Sequence, residues 1–168
     1  MLNLNRTALA RQDTRVEGEI PLDDPIWEGV DVTLVEPLHA TLTASMVGEG
    51  VLVRGDIRTR VALECRRCLV RVESKIEEPV DLLFEPLDEA EAQELEGEVY
   101  PLPKGNEIDL KEPLREQLLL HIPNYVVCRE DCRGLCPQCG ANRNETECGC
   151  VAERLPGPWD ALKNVKFD

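Results

Sequence analysis

The chain carries eight cysteines in four close pairs: Cys65 and Cys68, Cys128 and Cys132, Cys136 and Cys139, Cys148 and Cys150. Two thiolates on one short turn fill half of a tetrahedral shell, so each pair needs one other pair to close a site for a soft ion. Four pairs therefore fit two all-thiolate sites, and two Zn2+ ions are the expected occupants. Disulfides are the competing use of an even cysteine count. The opening residues, MLNLNRTALA, show no basic stretch followed by an apolar core and a small-residue cleavage site. An unsecreted, cytoplasmic chain is expected, and its reducing surroundings keep thiols free for metal.

How the pairs combine follows from reach. Cys136, Cys139, Cys148 and Cys150 are near enough in sequence to surround one ion, which leaves Cys65, Cys68, Cys128 and Cys132 for the other. The long loop in that second set is no obstacle, because closure entropy grows only with the logarithm of length. The alternative makes one site from the four cysteines between residues 128 and 139. Cys136-Pro-Gln-Cys139-Gly140 is a zinc-knuckle pattern, in which Gly140 admits the positive φ that turns amides towards sulfur. Few apolar residues lie between 128 and 150, so this module needs metal to fold.

Charge narrows the classes of function. The formal charge is −14 over 168 residues, which argues against a protein that coats nucleic acid by general phosphate neutralisation. Its distribution is uneven. Between residues 51 and 75 stand Arg54, Arg58, Arg60, Arg66, Arg67, Arg71 and Lys75 against Asp56, Glu64 and Glu73. From 76 to 98 every charge is negative, as in a solvated insert or a dock for a basic partner. Aromatics are 4% of the chain, so aliphatic residues must build the core, and no apolar run is long enough to cross a bilayer.

The expected class is α+β: an antiparallel β-meander covered by one or two helices, with a C-terminal zinc-knuckle module. A β-rich domain over residues 1–127 would contain the acidic insert at 85–107 and a helix at 108–122, and residues 128–168 would form the cysteine module with a short closing helix. Thr14 to Ile20 could form a short strand. Apolar residues alternate from Leu38 to Met46, Gly48-Glu49-Gly50 supplies a turn, and alternation resumes from Val51 to Cys65, with Gly55 as a candidate bulge. A second strand returns through Val72, Ile76, Val80 and Phe84, so the Cys65–Cys68 turn joins two antiparallel strands. Arg54, Arg58 and Arg60 would then share one sheet face, near Arg66 and Arg67, either as a binding surface or as partners of nearby carboxylates. Leu110, Leu114, Leu118 and Ile122 mark the helix, Pro113 fits its first turn and Pro123 ends it.

No catalytic residue stands out. His39 and His121 lie away from the cysteine motifs and read as surface or capping residues, and there are enough thiolates to close both metal shells. No phosphate-cradling glycine loop is present. Trp159, Leu162 and Val165 near the C-terminus recur at helical spacing and suit self-docking or a partner peptide.

Leu-Glu-Cys-Arg-Arg-Cys-Leu, the acidic stretch, the Ile-Asp-Leu helix start, Leu-Leu-Leu-His-Ile-Pro and Cys-Arg-Gly-Leu-Cys-Pro-Gln-Cys-Gly-Ala-Asn-Arg-Asn occur in that order. This combination resembles the YceD family of bacterial proteins associated with accumulation of large-subunit ribosomal RNA, over residues 51–167. The positions that carry the resemblance are Cys65, Arg67, Cys68, Leu69, Cys128, Cys132, Gly134, Leu135, Cys136, Cys139, Gly140, Asn142 and Asn144. It implies a cytoplasmic, non-enzymatic ribosome biogenesis factor, needed for 23S rRNA accumulation, that binds large-subunit rRNA, a pre-50S particle or a basic ribosomal protein. No membrane and no small-molecule substrate are implied.

Within that reading Arg54, Arg58, Arg60, Arg66, Arg67 and Arg71 are the candidate RNA-binding residues. The chief rival is a zinc-ribbon module that reads nucleic acid in transcription. Against it, residues 128–150 balance Arg129, Arg133 and Arg143 with Glu130, Asp131, Glu145 and Glu147 and contain no aromatic side chain. A redox sensor or zinc store is a third possibility and needs an exposed, labile thiolate.

Overall fold

A computed structural model describes residues 2–87 and 99–151. Residues 88–98 of the expected acidic insert, and the tail with its expected helix around Trp159, Leu162 and Val165, lie outside the described residues.

Two long strands dominate. β4 (Leu38–Val47) leads through a two-residue turn into β5 (Gly50–Glu64), and Gly48 at φ 62 supplies the positive φ that a primed hairpin turn needs at its first central position. β5 then pairs along its whole length with β6 (Arg71–Glu85), from Val51 opposite Phe84 to Glu64 opposite Arg71. The loop closing that hairpin is the first cysteine turn. Gly55 does not form a bulge, because its register with Leu42 and Val80 is continuous. A Cβ there would stand 2.1 Å from the Thr41 carbonyl oxygen, so glycine is required by the close approach of β4.

β2 (Thr14–Ile20) pairs with the outer edge of β4, and β7 (Tyr100–Pro101) adds in parallel to the end of β6. β3 (Thr33–Leu34) takes over from β4 along the far part of β5, opposite Ala62 and Val61. Thr59, a buried polar residue in the inward row, donates to the Glu36 carbonyl and secures that junction. The result is an α+β fold with a mainly antiparallel six-stranded sheet.

Alternation decides the two faces. Val51, Val53, Ile57 and Val61 on β5 join Ile76, Val80, Leu82 and Phe84 on β6 in one buried layer, continued by Leu38, Ala40, Leu42 and Ala44 on β4. Covering this layer are the four-residue helix α1 (Arg6–Leu9), a small ladder of β1 (Asn3–Asn5) with β8 (Glu107–Asp109), and helix α2 (Lys111–His121). Leu2, Leu4, Ile108, Leu110, Leu114 and Leu118 are almost wholly buried there, each worth about 1.5–3 kcal/mol relative to exposure.

The helix therefore starts later than the span 108–122 read from the sequence. Ile108 and Asp109 are held by backbone pairing with Leu4 and Asn3, and the Asp109 carboxylate accepts the Lys111 N–H at 2.9 Å. Against the sheet, Asp24 at the start of a 3-10 turn (Pro25–Trp27) accepts a 2.6 Å bond from Lys111 Nζ on α2. That bond holds the Asp24 carboxyl below its usual range and raises the Lys111 ammonium.

Candidate metal centres

The first centre is built on the β5–β6 turn. Cys65 donates its backbone N–H to Val70 and accepts from Leu69 N–H, closing a knuckle that places Cys65 and Cys68 side by side. The chain after α2 runs alongside, with Arg66 N–H bonded to Val126 O, and delivers Cys128 and Cys132 to the same spot. The four sulfurs lie within 4.8 Å of one another, with 3.8 Å between Cys65 and Cys132 and 3.6 Å between Cys68 and Cys128. A regular tetrahedron with metal–sulfur bonds of about 2.3 Å has edges of about 3.8 Å. A disulfide would need about 2.05 Å, and all eight thiols are free. The arrangement could hold a soft tetrahedral ion.

Cys65, Cys68 and Cys132 are buried and pack with Val72, Val127 and Leu135 as a small apolar cluster of their own. Polar hydrogens point at the sulfurs. Cys128 N–H donates to Cys65 Sγ at 3.3 Å, and Asn144 Nδ2 donates to Cys132 Sγ at 3.3 Å. Burial raises the Cys65 thiol, but backbone N–H groups of Arg67, Cys128 and Cys68 outweigh it and bring its pKa down to about 6. Desolvation and the neighbouring thiols push Cys128 up to about 12. One thiolate is favoured and the next disfavoured, because like charges this close repel. A divalent cation removes that conflict, with release of protons.

The second centre follows by a short path. Gly140 N–H bonds to Cys136 O and Cys136 N–H to Ala141 O, forming the second knuckle, and Gly140 has the expected positive φ of 73. Cys136, Cys139, Cys148 and Cys150 bring their sulfurs within 4.8 Å of one another. The same asymmetry recurs: amides of Cys139 and Gln138 bring Cys136 down to about 6, while the bond with the Cys139 thiol, aided by desolvation, pushes Cys150 up to about 12. Only Cys136 is buried in this quartet.

The two knuckles are joined by contacts to which sequence reasoning gave no role. Gly134, at φ 69, lets the backbone close on the first knuckle, since a Cβ would sit 2.8 Å from the Arg67 carbonyl oxygen. That oxygen accepts Leu135 N–H at 2.9 Å. Asn144 lies between the second quartet's ligands in sequence yet serves the first. Its Oδ1 accepts from Arg129 Nη2 and Arg133 N–H, both at 2.8 Å, which aims its Nδ2 at Cys132. The resemblance marked Gly134, Leu135, Asn142 and Asn144 without giving any of them a role. The position after each knuckle's second cysteine is left-handed in both turns: glycine in the second, but Leu69 at φ 60 in the first, a conformation that costs a branched side chain about 1–2 kcal/mol.

The six candidate RNA-binding arginines separate into groups. Arg54, Arg58 and Arg60 do share the outer sheet face, but β6 and the bend between β3 and β4 bring acids to it. Arg54 pairs with Asp81 at 2.6 Å, and Arg60 with Glu36 at 3.3 Å and Glu73 at 3.6 Å. Arg58 stands opposite Glu77 and His39, forming no ion pair among the described residues. Arg67 is a structural strut, bonding Tyr125 Oη and the carbonyls of Glu130 and Cys132. Arg66 gives one bond to the Asn124 carbonyl. Neither histidine touches a thiol: His39 faces Glu19 at 3.4 Å, and His121 Nδ1 lies 2.7 Å from the Gln117 carbonyl.

An α+β sheet carrying two cysteine quartets, each able to hold a metal ion, defines the class. Comparison narrows it: the family model described as large ribosomal RNA subunit accumulation protein YceD matches residues 53–166, and the chain belongs to that family. An uncharacterised protein of Mycobacterium tuberculosis is 37% identical over 125 residues, covering 74% of this chain and 60% of that protein. One from Mycobacterium leprae is 30% identical over 141 residues, 82% of this chain and 64% of its own length. The chloroplastic large ribosomal RNA subunit accumulation protein YCED homolog 1 of Arabidopsis thaliana is 28% identical over 138 residues, 67% of this chain and 43% of that protein. The chain thus spans under two thirds of the length of these relatives. No solved structure matches it. No helix among the described residues is long and apolar enough to cross a membrane.

Proposed function

We propose that this chain acts in the cytoplasm as a non-enzymatic factor in the accumulation of large-subunit ribosomal RNA, binding that RNA or a precursor particle, and that each cysteine quartet holds one zinc ion. The observation that carries the metal assignment is the sulfur geometry, whose 3.6 and 3.8 Å edges suit four thiolates around zinc. Four thiolates saturate the ion and leave no open position for water or substrate, so zinc would shape the protein and perform no reaction. Membership of a family described by ribosomal RNA accumulation supports the RNA side.

The arginine face enters as a refinement. Exposed ion pairs contribute little, so phosphate could displace the carboxylates from Arg54 and Arg60, but Arg58, Arg66 and Arg71 need no such exchange. Depletion of the protein in growing cells should lower the ratio of large- to small-subunit rRNA, and an unchanged ratio would refute the reading. Charge reversal at Arg58 and Arg60 should reduce recovery of precursor particles in a pull-down, with undiminished recovery removing the sheet face from it.

A further inference from the structure

We propose that the tip of the first knuckle, Leu69 with the guanidinium groups of Arg66 and Arg71, grips an unstacked base of large-subunit ribosomal RNA; this rests on the RNA reading above. Leu69 is the one residue other than glycine with positive φ among the described residues, and 57% of it is exposed. Nothing in the knuckle needs its side chain. The turn is closed by its backbone N–H, and the matching position of the second knuckle is filled by Gly140 at φ 73. A strained backbone that holds an exposed isobutyl group works against stability twice over, and among the described residues nothing packs over that group.

The surroundings indicate the partner. Val70 is partly exposed and Tyr125, whose hydroxyl accepts from Arg67 Nε, is 62% exposed on the segment bonded to Arg66. Along the strands Arg15, Arg54 and Arg60 are tied to carboxylates and Arg58 is not; at the knuckle Arg66 spends one N–H on a carbonyl, and Arg71, the first residue of β6 and opposite Glu64, forms no ion pair among the described residues. Guanidinium groups with N–H donors not taken by carboxylates, interleaved with single apolar and aromatic side chains, suit phosphate and splayed bases. A protein partner would want a wider continuous apolar area than one leucine and one valine offer.

The test uses the full chain loaded with zinc and a large-subunit rRNA transcript. Leu69→Gly should keep two zinc ions, melt at a higher temperature than the parent, and bind the transcript about tenfold or more weakly. Arg71→Ala should weaken binding and flatten its salt dependence by about one phosphate contact. Binding by Leu69→Gly equal to the parent overturns the proposal, as does loss of zinc or of melting temperature, which would make Leu69 a packing residue. Unaltered RNA binding with loss of a co-purifying ribosomal protein overturns it in favour of a protein partner. If the parent chain binds the transcript and Leu69→Gly does not matter, only this surface falls; if the parent binds no transcript, the RNA reading falls with it.

Discussion

In the first quartet Cys65 and Cys132 meet across 67 residues of chain and lie buried beside the sheet, whereas all four ligands of the second fall between residues 136 and 150 and only Cys136 is buried. With metal bound as proposed, the same ligand set would do two jobs. The first would fasten the segment after α2 to the end of the longest hairpin. The second would organise a short surface loop that has almost no apolar side chains to do so itself. Burial and span, rather than ligand chemistry, would then decide how much of the protein depends on each ion.

The largest expected effect exploits that asymmetry. Cys68→Ser should leave about one zinc per chain and destabilise the whole protein by roughly 3 kcal/mol or more, lowering Tm by about 10 °C. Cys148→Ser should also lose one zinc but move the melting of the sheet by no more than about 2 °C, followed by circular dichroism. Equal shifts from both variants would erase the distinction. A smaller effect probes the contact between the quartets. Asn144→Ala should weaken zinc at the first quartet about 10- to 100-fold in competition with a chelator, although residue 144 lies in the loop of the second.

The smallest effect is a control remote from both ions. Lys111 holds the Asp24 carboxyl below its ordinary value of 3.8, so its stabilising contribution is complete at neutral pH and is lost as pH falls through the folded value. Asp24→Asn should be less stable than the parent between about pH 5 and 8, with the gap closing below about pH 4 and zinc content unchanged. A gap that persists in acid would assign the loss to packing.

Much of this was readable in the residues because it is local. Period-two alternation marked β4, β5 and β6, the glycine pair marked the hairpin turn, and cysteine spacing favoured the two quartets over a site made from residues 128 to 139. What escaped is non-local. Leu2 and Leu4 alternate with Asn3 and Asn5, yet their strand becomes visible only when β8, about a hundred residues later, pairs with it. The same pairing delays the start of α2. The sequence left the outer arginines open between a binding surface and partners of carboxylates, because the acids that pair with them, Asp81 and Glu73 on β6 and Glu36 between β3 and β4, are brought in by the fold. The left-handed backbone at Leu69 had no marker, since turn chemistry points to glycine at such positions.

The hairpin knuckle also imposes a timetable. The two pairs of the first quartet are separated by the whole of β6, β7, β8 and α2, so it can close only after those elements have been made. Under the zinc proposal, loading there would follow synthesis of nearly the whole scaffold, while the second quartet, with all its donors within one short stretch, could fill as soon as that stretch exists.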